Sequence, residues 1–509
     1  MSMHGNGALG RVEVTDRPRV PGSGAARCGE RRGLPRPGIM CHMGFPDSVL
    51  DALATRPEHP AVEHGDHLVT GAELLSMIGT IAAGLRSAGI GPGNGVAMDL
   101  DVSAESLAAY LAGYALGCQV VGVHPGNSAS QRQHVLSRGV DVVLTGDRVA
   151  ELLRGPAADP VVVRAAPDAV ARVTYTSGST GRPKGCMQTY AALSAHWAWD
   201  VESWSADTRE LAARTGRYLL FGTLSSVVVQ DFLALCLLSG GTAVIPRLPA
   251  PGEGPLFPEV FQRLRATATI MNVPRLYQTL DSVRSGDFDL STVGAIVVAG
   301  SPLPAHRLAE AVDLLGPVMH SSYGQTETGR LTALTPADIA SGVLASVGRP
   351  MPGVEVAIRD GEVLARAPYQ MCGYLGEPEL TAEVLVDGWV RTRDLGRLDG
   401  GYLYLDGRAR DVIIVDALPV YAGPIERVLT AQRDVDQAYV VGAPDERRGE
   451  AVHAFVIPSA GESPDHAALR AAVRAELGEL SVPETITELT EVPVAVSGKP
   501  DKVALLSLL

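Results

Sequence analysis

The chain has 509 residues, 46% of them apolar and 20% charged, with a net charge of −14 and a pI near 5.4. That length exceeds what one hydrophobic core usually holds, so at least two domains are expected. An acidic chain lacks the electrostatic footprint of a nucleic-acid binder, so no nucleic acid is expected as a partner, and any polyanion site must be built locally.

Residues 1–44 are rich in Gly, Pro and Arg, show no sustained apolar periodicity and contain no secretory h-region. They read as a disordered tail. Met40 and Met43 stand as alternative starts just before the first ordered-looking segment. Beyond them, Leu74, Ile78, Ile81 and Leu85 recur at helical spacing, and Gly89-Ile90-Gly91-Pro92-Gly93 ends that helix. Val96 to Leu100 reads as a strand, Ser103 as the cap of a helix running through Leu116, Val120 to Val123 and Val140 to Leu144 as further strands. The alternation persists to a strand at Ile296–Ala299, which predicts an α/β fold with mostly parallel sheets in a large multi-layer N-terminal domain. The longest apolar stretch, Val227 to Ile245, is broken by Gln230, Asp231 and Gly240–Gly241, so a soluble cytoplasmic chain without a membrane partner is expected.

Near residue 400 the character changes. Tyr402–Leu405 and Val412–Val415 read as short strands around a charged turn, Asp406 to Asp411, and shorter elements follow, with a helix near Ala467–Leu477. This divides the chain into a large domain over 45–407, a hinge at 408–411 and a small, mobile α+β C-terminal domain over 412–509.

The strongest chemical signal is the stretch from Tyr175 to Gly185, containing Thr176, Ser177, Gly178, Ser179, Thr180, Gly181 and Lys184. It follows a short strand at Ala171–Thr174 and precedes a helix beginning near Tyr190. Its glycines let backbone approach a bulky anion, its hydroxyls add donors, and Lys184 supplies a point charge for phosphate oxygens. It is not a Walker A loop, because Pro183 stands where that pattern needs glycine. Cys186 adjoins the loop, but the six cysteines are scattered without CxxC or zinc-like spacing and read as free thiols in a reducing compartment.

This stretch resembles the phosphate loop of the adenylate-forming superfamily: acyl-CoA synthetases, adenylation domains of peptide synthetases, and luciferases. The similarity runs from about residue 45 to the C-terminus, with further motifs in the family's order. Gly300-Ser301-Pro302 resembles the strand end flanking adenine. Ser322 to Glu327 resembles the next motif, and the resemblance implies that Tyr323 stacks on adenine, that Gly324 and Gln325 line the nucleotide, that Thr326 touches the α-phosphate and that Glu327 binds Mg²⁺. Trp389 to Asp394 resembles the segment whose aspartate grips the ribose hydroxyls, with Arg393 where glycine is usual. Asp406-Gly407-Arg408 matches the motif whose arginine also reaches the ribose. Pro493 to Lys499 resembles the C-terminal catalytic loop, whose lysine bridges the acid and the α-phosphate. The resemblance thus implies ATP and Mg²⁺ as cofactors, Lys499, Thr326 and Glu327 as the catalytic set, and a small-molecule acid with an acceptor nucleophile as partners.

Two segments depart from the family. Thioester-forming relatives carry a Gly-Gly pair and an Asn on the strand lining the pantetheine channel, where this chain has Asp416, Ala417 and Pro419. Side chains there narrow the channel and add charge, which weighs against CoA as acceptor. Many relatives also carry Phe-His near Thr223-Leu224-Ser225-Ser226, where this chain has small residues. Three readings stay open: an acyl-CoA-synthetase-like ligase; a ligase passing its adenylate, even one of a very small acid such as nitrite, to an amine or other non-CoA nucleophile in bacterial secondary metabolism; and a catalytically silent binding homologue. Retention of Lys184, Glu327, Asp394, Arg408 and Lys499 together speaks against the last.

Overall fold

A Thr70/Glu73 capping box starts the helix Gly71–Ser87: the Thr70 amide donates to Glu73 Oε2 (2.8 Å) and the Glu73 amide to Thr70 Oγ1 (3.2 Å). This helix buries Leu74, Ile78, Ile81 and Leu85. It packs on Ala104–Ala115, which Ser103 caps as expected and which is buried on nearly every face because it lies inside the large lobe. These helices belong to a computed structural model that describes residues 44–176, 183–249, 255–408, 411–416, 418–445, 447–495 and 499–509. The proposed tail, apart from its last residue, and hinge residues Ala409 and Arg410 lie outside the described residues.

Three sheets build the large lobe. The centre of the nine-stranded sheet runs through Thr242–Ile245, Arg217–Leu219, Ala268–Met271, Ala295–Ala299 and Met319–Gln325, all parallel, and Gly329–Leu334 pairs antiparallel beyond them. The six-stranded sheet joins Val142–Leu144, Gly95–Met98, Gln119–Gly122 and Val170–Thr176 in parallel and continues antiparallel into Lys184–Thr189. The third sheet, including Trp389–Asp399 and Tyr402–Arg408, is antiparallel.

The apolar stretch after Ser226 forms the buried helix Val227–Ser239, stopped by Gly240 at φ +81°, and then the strand Thr242–Ile245. Left-handed backbone of this kind admits glycine without a Cβ clash. Among the described residues, no helix is long and apolar enough to cross a membrane.

The C-terminal lobe has its own core, in which Ile413, Val415, Ile425, Leu429, Val440, Val456, Leu469 and Val473 pack between one sheet and the helices Ala422–Thr430 and His466–Leu477. Among the described residues, its contacts with the large lobe include two on opposite sides. Gly423 lies against Asp406 and Gly407, where an added Cβ would sit 3.1 Å from both, and Arg427 Nη1 donates to the Asp406 carbonyl (3.1 Å). On the other side, Arg307, 4% exposed, pairs with Asp436 (2.5 Å) of the small lobe and stacks over Tyr277.

One local expectation is corrected. Asp406 and Arg408 do not open a turn but extend the strand Tyr402–Arg408, because its pairing with Trp389–Asp399, Asp394 opposite Arg408, overrides the local turn signal. The helix expected near Tyr190 begins at that residue. Lys184–Thr189 pairs back on Val170–Thr176 before the helix Tyr190–Ser194 begins.

Candidate active site

The antiparallel register that places Arg408 opposite Asp394 also builds one end of the site. The Asp394 carboxylate is 2% exposed and engaged through both oxygens: Oδ1 faces Arg408 Nε at 2.9 Å, and Oδ2 accepts from the Tyr323 hydroxyl (2.6 Å) and Gln325 Nε2 (2.7 Å). Burial, and then the neighbouring Asp394 carboxylate, push the Tyr323 phenol well above its ordinary value, so it stays protonated as a donor. The preceding residue, Arg393, has φ +60°, a conformation costing roughly 1–2 kcal/mol for a residue with a Cβ. Its amide donates to Glu362 Oε1 (3.1 Å), which helps hold that backbone. The arginine found where glycine is usual therefore keeps a glycine-like backbone conformation within the strand Trp389–Asp399.

At the other end, the phosphate-loop stretch joins two strands closed by the pair Thr176–Lys184. Ser177, Gly178, Ser179, Thr180 and Gly181 lie outside the described residues. The Lys184 ammonium lies 5.9 Å from the Tyr374 ring centre, and the Tyr374 hydroxyl donates to Glu327 Oε1 (2.8 Å). Tyr374 thus links Lys184 to Glu327, and burial followed by the Glu327 charge raises its phenol far above the ordinary range. Thr326 and Glu327 sit in the turn between Met319–Gln325 and Gly329–Leu334, closed by the Gln325 amide donating to Thr328 Oγ1 (3.1 Å). Among the described residues no group of three or more His, Cys, Asp or Glu side chains gathers as a metal cage. A single carboxylate fits a magnesium ion that takes most of its ligands from substrate phosphates and water.

Between these ends, Gly300 turns at φ +95° directly after the strand Ala295–Ala299. Among the described residues, a Cβ added there would meet only the Cε of Lys499, at 3.9 Å. Lys499 belongs to the opposite lobe, so the two lobes close over this point. Ser301 is half-buried, and Pro302 and Gly324 are exposed. The structure therefore brings Tyr323, Gln325, Asp394 and Arg408 into one cluster, Lys184 and Glu327 into a second, and Lys499 over Gly300.

Sequence reasoning missed Tyr374, which carries no motif signal, and a buried polar layer beneath the Gly324 hairpin. There Arg330, opposite Gly324, stacks over Trp197 (4.7 Å), and burial lowers its guanidinium to about 10. Asp231, 3.7 Å from His196, is pushed up to about 7 by burial, with Arg172 and Arg330 opposing. Cys186 is fully buried; burial and then Glu327 raise its thiol well above the ordinary value, which leaves it inert as a nucleophile.

Two mostly parallel sheets, an antiparallel third and a small α+β lobe closing over a glycine-lined strand end are the architecture of adenylate-forming ligases. The chain belongs to the AMP-binding enzyme family: residues 50–375 match the AMP-binding enzyme model and 424–499 the AMP-binding enzyme C-terminal domain. As a member it is an ATP-dependent, AMP-forming ligase. It is similar in structure to the amide bond synthetase McbA from Marinactinospora thermotolerans (TM-score 0.78, 34% identity, covering 90% of this chain and 99% of that one). In sequence it is 30% identical to a feruloyl-CoA synthase from Amycolatopsis sp (87% of this chain, 94% of that protein). It is 29% identical to the fatty acid–[acyl-carrier-protein] ligase ScoC from Streptomyces coeruleorubidus (87% and 92%).

Proposed function

We propose that this enzyme adenylates a carboxylic acid and passes the acyl group to an amine, forming an amide rather than a CoA thioester. In the first step a carboxylate oxygen attacks the α-phosphorus of ATP, the bond from that phosphorus to the bridging oxygen breaks, and pyrophosphate leaves. Asp394 and Arg408 suit the ribose hydroxyls, since one accepts and the other donates. Tyr323 offers a face to adenine, Gly300 to Pro302 and Gly324 complete the nucleotide wall, and residues 176–184 receive the β- and γ-phosphates. A magnesium ion held by Glu327 would neutralise charge on those phosphates. Thr326 and Lys499 hold the α-phosphate, Lys499 stabilising charge as it develops on the reacting oxygens. The small lobe then turns about residues 408–411 and withdraws Lys499. The acceptor nitrogen attacks the acyl carbon, the carbon–nitrogen bond forms, AMP leaves with the electron pair, and the nitrogen proton passes to solvent. Such closure keeps water from the adenylate.

The acceptor assignment is carried by Asp416. This residue, at φ +52°, opens the turn between Val412–Val415 and Leu418–Tyr421, where thioester-forming relatives have glycine. Arg448 pins it, Nη2 to Oδ2 at 2.9 Å, and the Asp416 amide donates to the Arg448 carbonyl (2.8 Å). If this turn lines the pantetheine channel as the family resemblance implies, a pinned carboxylate and a bulky guanidinium would narrow it. The likeness to an amide bond synthetase over nine-tenths of the chain supports the same reading.

The test is pyrophosphate exchange across a panel of carboxylic acids, with nitrite included, followed by product analysis with primary amines and with CoA. Amide as the main product is expected. Thioester as the main product would assign the chain to the acyl-CoA ligases, the reading that its likeness to feruloyl-CoA synthase favours. Exchange with nitrite alone would move the donor from a carboxylic to an inorganic acid, and silence with every acid would mark a binding homologue.

Asp416→Gly sharpens the acceptor test. The substitution relieves a left-handed residue of roughly 1–2 kcal/mol and gives up an exposed ion pair of about 0–1 kcal/mol, so stability should stay near that of the parent. The ratio of thioester to amide should rise about tenfold, which corresponds to roughly 1.4 kcal/mol. An unchanged ratio would show that this turn has no say in acceptor choice.

A further inference from the structure

Lys499 reaches Gly300 across the lobe junction, and where its backbone stands decides where its ammonium can reach. What fixes its backbone lies three residues downstream. The chain closes on itself around Lys499: the Ala495 amide donates to the Lys499 carbonyl (2.8 Å), the Asp501 amide to the Pro493 carbonyl (2.8 Å), and Val494 bridges Pro500. Asp501 then caps the short helix Lys502–Leu506, accepting from the amides of Val503 and Ala504, and Leu505 is fully buried against Val441 and Phe455.

Within that closure one charged group points inward. The Lys502 ammonium lies 3.0 Å from Asp411 Oδ2 and 3.0 Å from Glu426 Oε1. Glu426 Oε1 also accepts from the Val440 amide (2.9 Å). Burial alone would disfavour the charged ammonium, but Glu426 and Asp411 outweigh it and hold its pKa above the ordinary lysine value. Both carboxylates sit where the lobes meet. Asp411 ends the segment 408–411, and Glu426 belongs to the helix Ala422–Thr430, whose next residue, Arg427, donates to large-lobe carbonyls at Asp406 (3.1 Å) and Leu405 (3.5 Å). A continuous path of contacts therefore runs from the last strand of the large lobe through Arg427 and Glu426 to Lys502, and from there along three residues to Lys499.

We propose that Lys502 is a positioning residue for adenylation, a clamp that ties the Lys499 segment to the lobe junction so that Lys499 lies over Gly300 when the lobes close. This rests on the adenylation role proposed for Lys499. Lys502 does not touch the reacting atoms in this arrangement; it sets where Lys499 stands. Because Lys499 serves only the first half-reaction, the clamp should matter for adenylate formation and not for consumption of an adenylate supplied ready-made.

The experiment compares Lys502→Met and Lys502→Arg with the parent in pyrophosphate exchange, using the best acid of the panel, and separately in amide formation from a synthetic acyl-adenylate. Lys502→Met should lower the exchange kcat by about 10- to 100-fold, the range seen when supporting contacts around a reacting group are lost. The KM for ATP should stay within about threefold, and Lys502→Arg should recover most of the rate because it can still reach both carboxylates. Transfer from the supplied adenylate should stay within about threefold of the parent. Should Lys502→Met not fold, Lys502→Met with Glu426→Gln removes one uncompensated carboxylate and carries the same expectation. Exchange unaltered by the loss of Lys502, or both half-reactions falling together, overturns the clamp. A parent enzyme that exchanges with no acid would instead sink the adenylation reading itself, so the two failures are separable.

Discussion

Replacing Lys499 with alanine is expected to stop adenylate formation while leaving ATP binding and the fold intact. Lys499 is exposed and sits at the lobe junction, not in either core, so its removal should change stability by no more than about 0.5 kcal/mol. Its proposed work is electrostatic and confined to the transition state: a cation over Gly300, where negative charge develops on the attacking and phosphoryl oxygens. Removing one preorganised stabiliser of this kind typically lowers kcat about 10²- to 10³-fold, or roughly 2.7–4 kcal/mol. Pyrophosphate exchange should therefore fall by at least that factor, with the ATP dissociation constant, read by calorimetry, moving by less than about fivefold because the nucleotide contacts proposed for Asp394, Arg408 and the phosphate loop would be untouched. Transfer from a supplied adenylate should persist. Exchange surviving within tenfold of the parent would mean that another cation, Lys184 being the nearest in kind, carries the charge stabilisation.

What could be read from the sequence divides along a physical line. Elements whose own residues carry the signal were legible: the periodic helix Gly71–Ser87, the Ser103 cap, and the strand leading into Gly300. The motif residues stood out as candidates because each proposed task calls for a particular type, a carboxylate with an arginine for a diol, a lysine for phosphate, and the structure sets Asp394 beside Arg408. Features that depend on pairing partners far along the chain were not. Asp406 to Arg408 look like a turn until the strand Trp389–Asp399 is laid beside them, and Lys184–Thr189 is a strand only because Val170–Thr176 precedes it across the loop. Tyr374 has no sequence signature for its place between Lys184 and Glu327. The departures from family pattern were visible as letters, but not their meaning in the backbone. Arg393 and Asp416 both occupy left-handed positions where glycine is the unstrained choice, so each residue keeps that backbone conformation and adds a side chain to it. Lys502 looks like an ordinary terminal lysine until Asp411 and Glu426 are brought to it from far upstream.

The second large effect is expected at Asp394, where one carboxylate satisfies a phenol, an amide nitrogen and a guanidinium at once. Alanine there removes an acceptor from a position only 2% exposed and leaves Tyr323, Gln325 and Arg408 without it. Arg408 is about a third exposed and can turn to water, which places the stability cost toward the lower end of the 3–5 kcal/mol, roughly, of a broken buried pair. A rise in the KM for ATP would accompany almost any damage here, so the informative readout is a ratio. If the carboxylate accepts from the ribose hydroxyls, the parent should use ATP better than 2′,3′-dideoxy-ATP by about 10- to 150-fold in kcat/KM, the worth of a hydrogen bond to a charged acceptor at about 1.5–3 kcal/mol. Asp394→Ala should bring that ratio to within about threefold of one by losing activity with ATP alone, since the dideoxy nucleotide never had the contact to lose. Asp394→Asn keeps an oxygen acceptor without the charge and should fall between. A ratio that survives in Asp394→Ala would move ribose recognition elsewhere and leave Asp394 as the fastener between Tyr323 and Arg408, a structural role that predicts equal losses for both nucleotides.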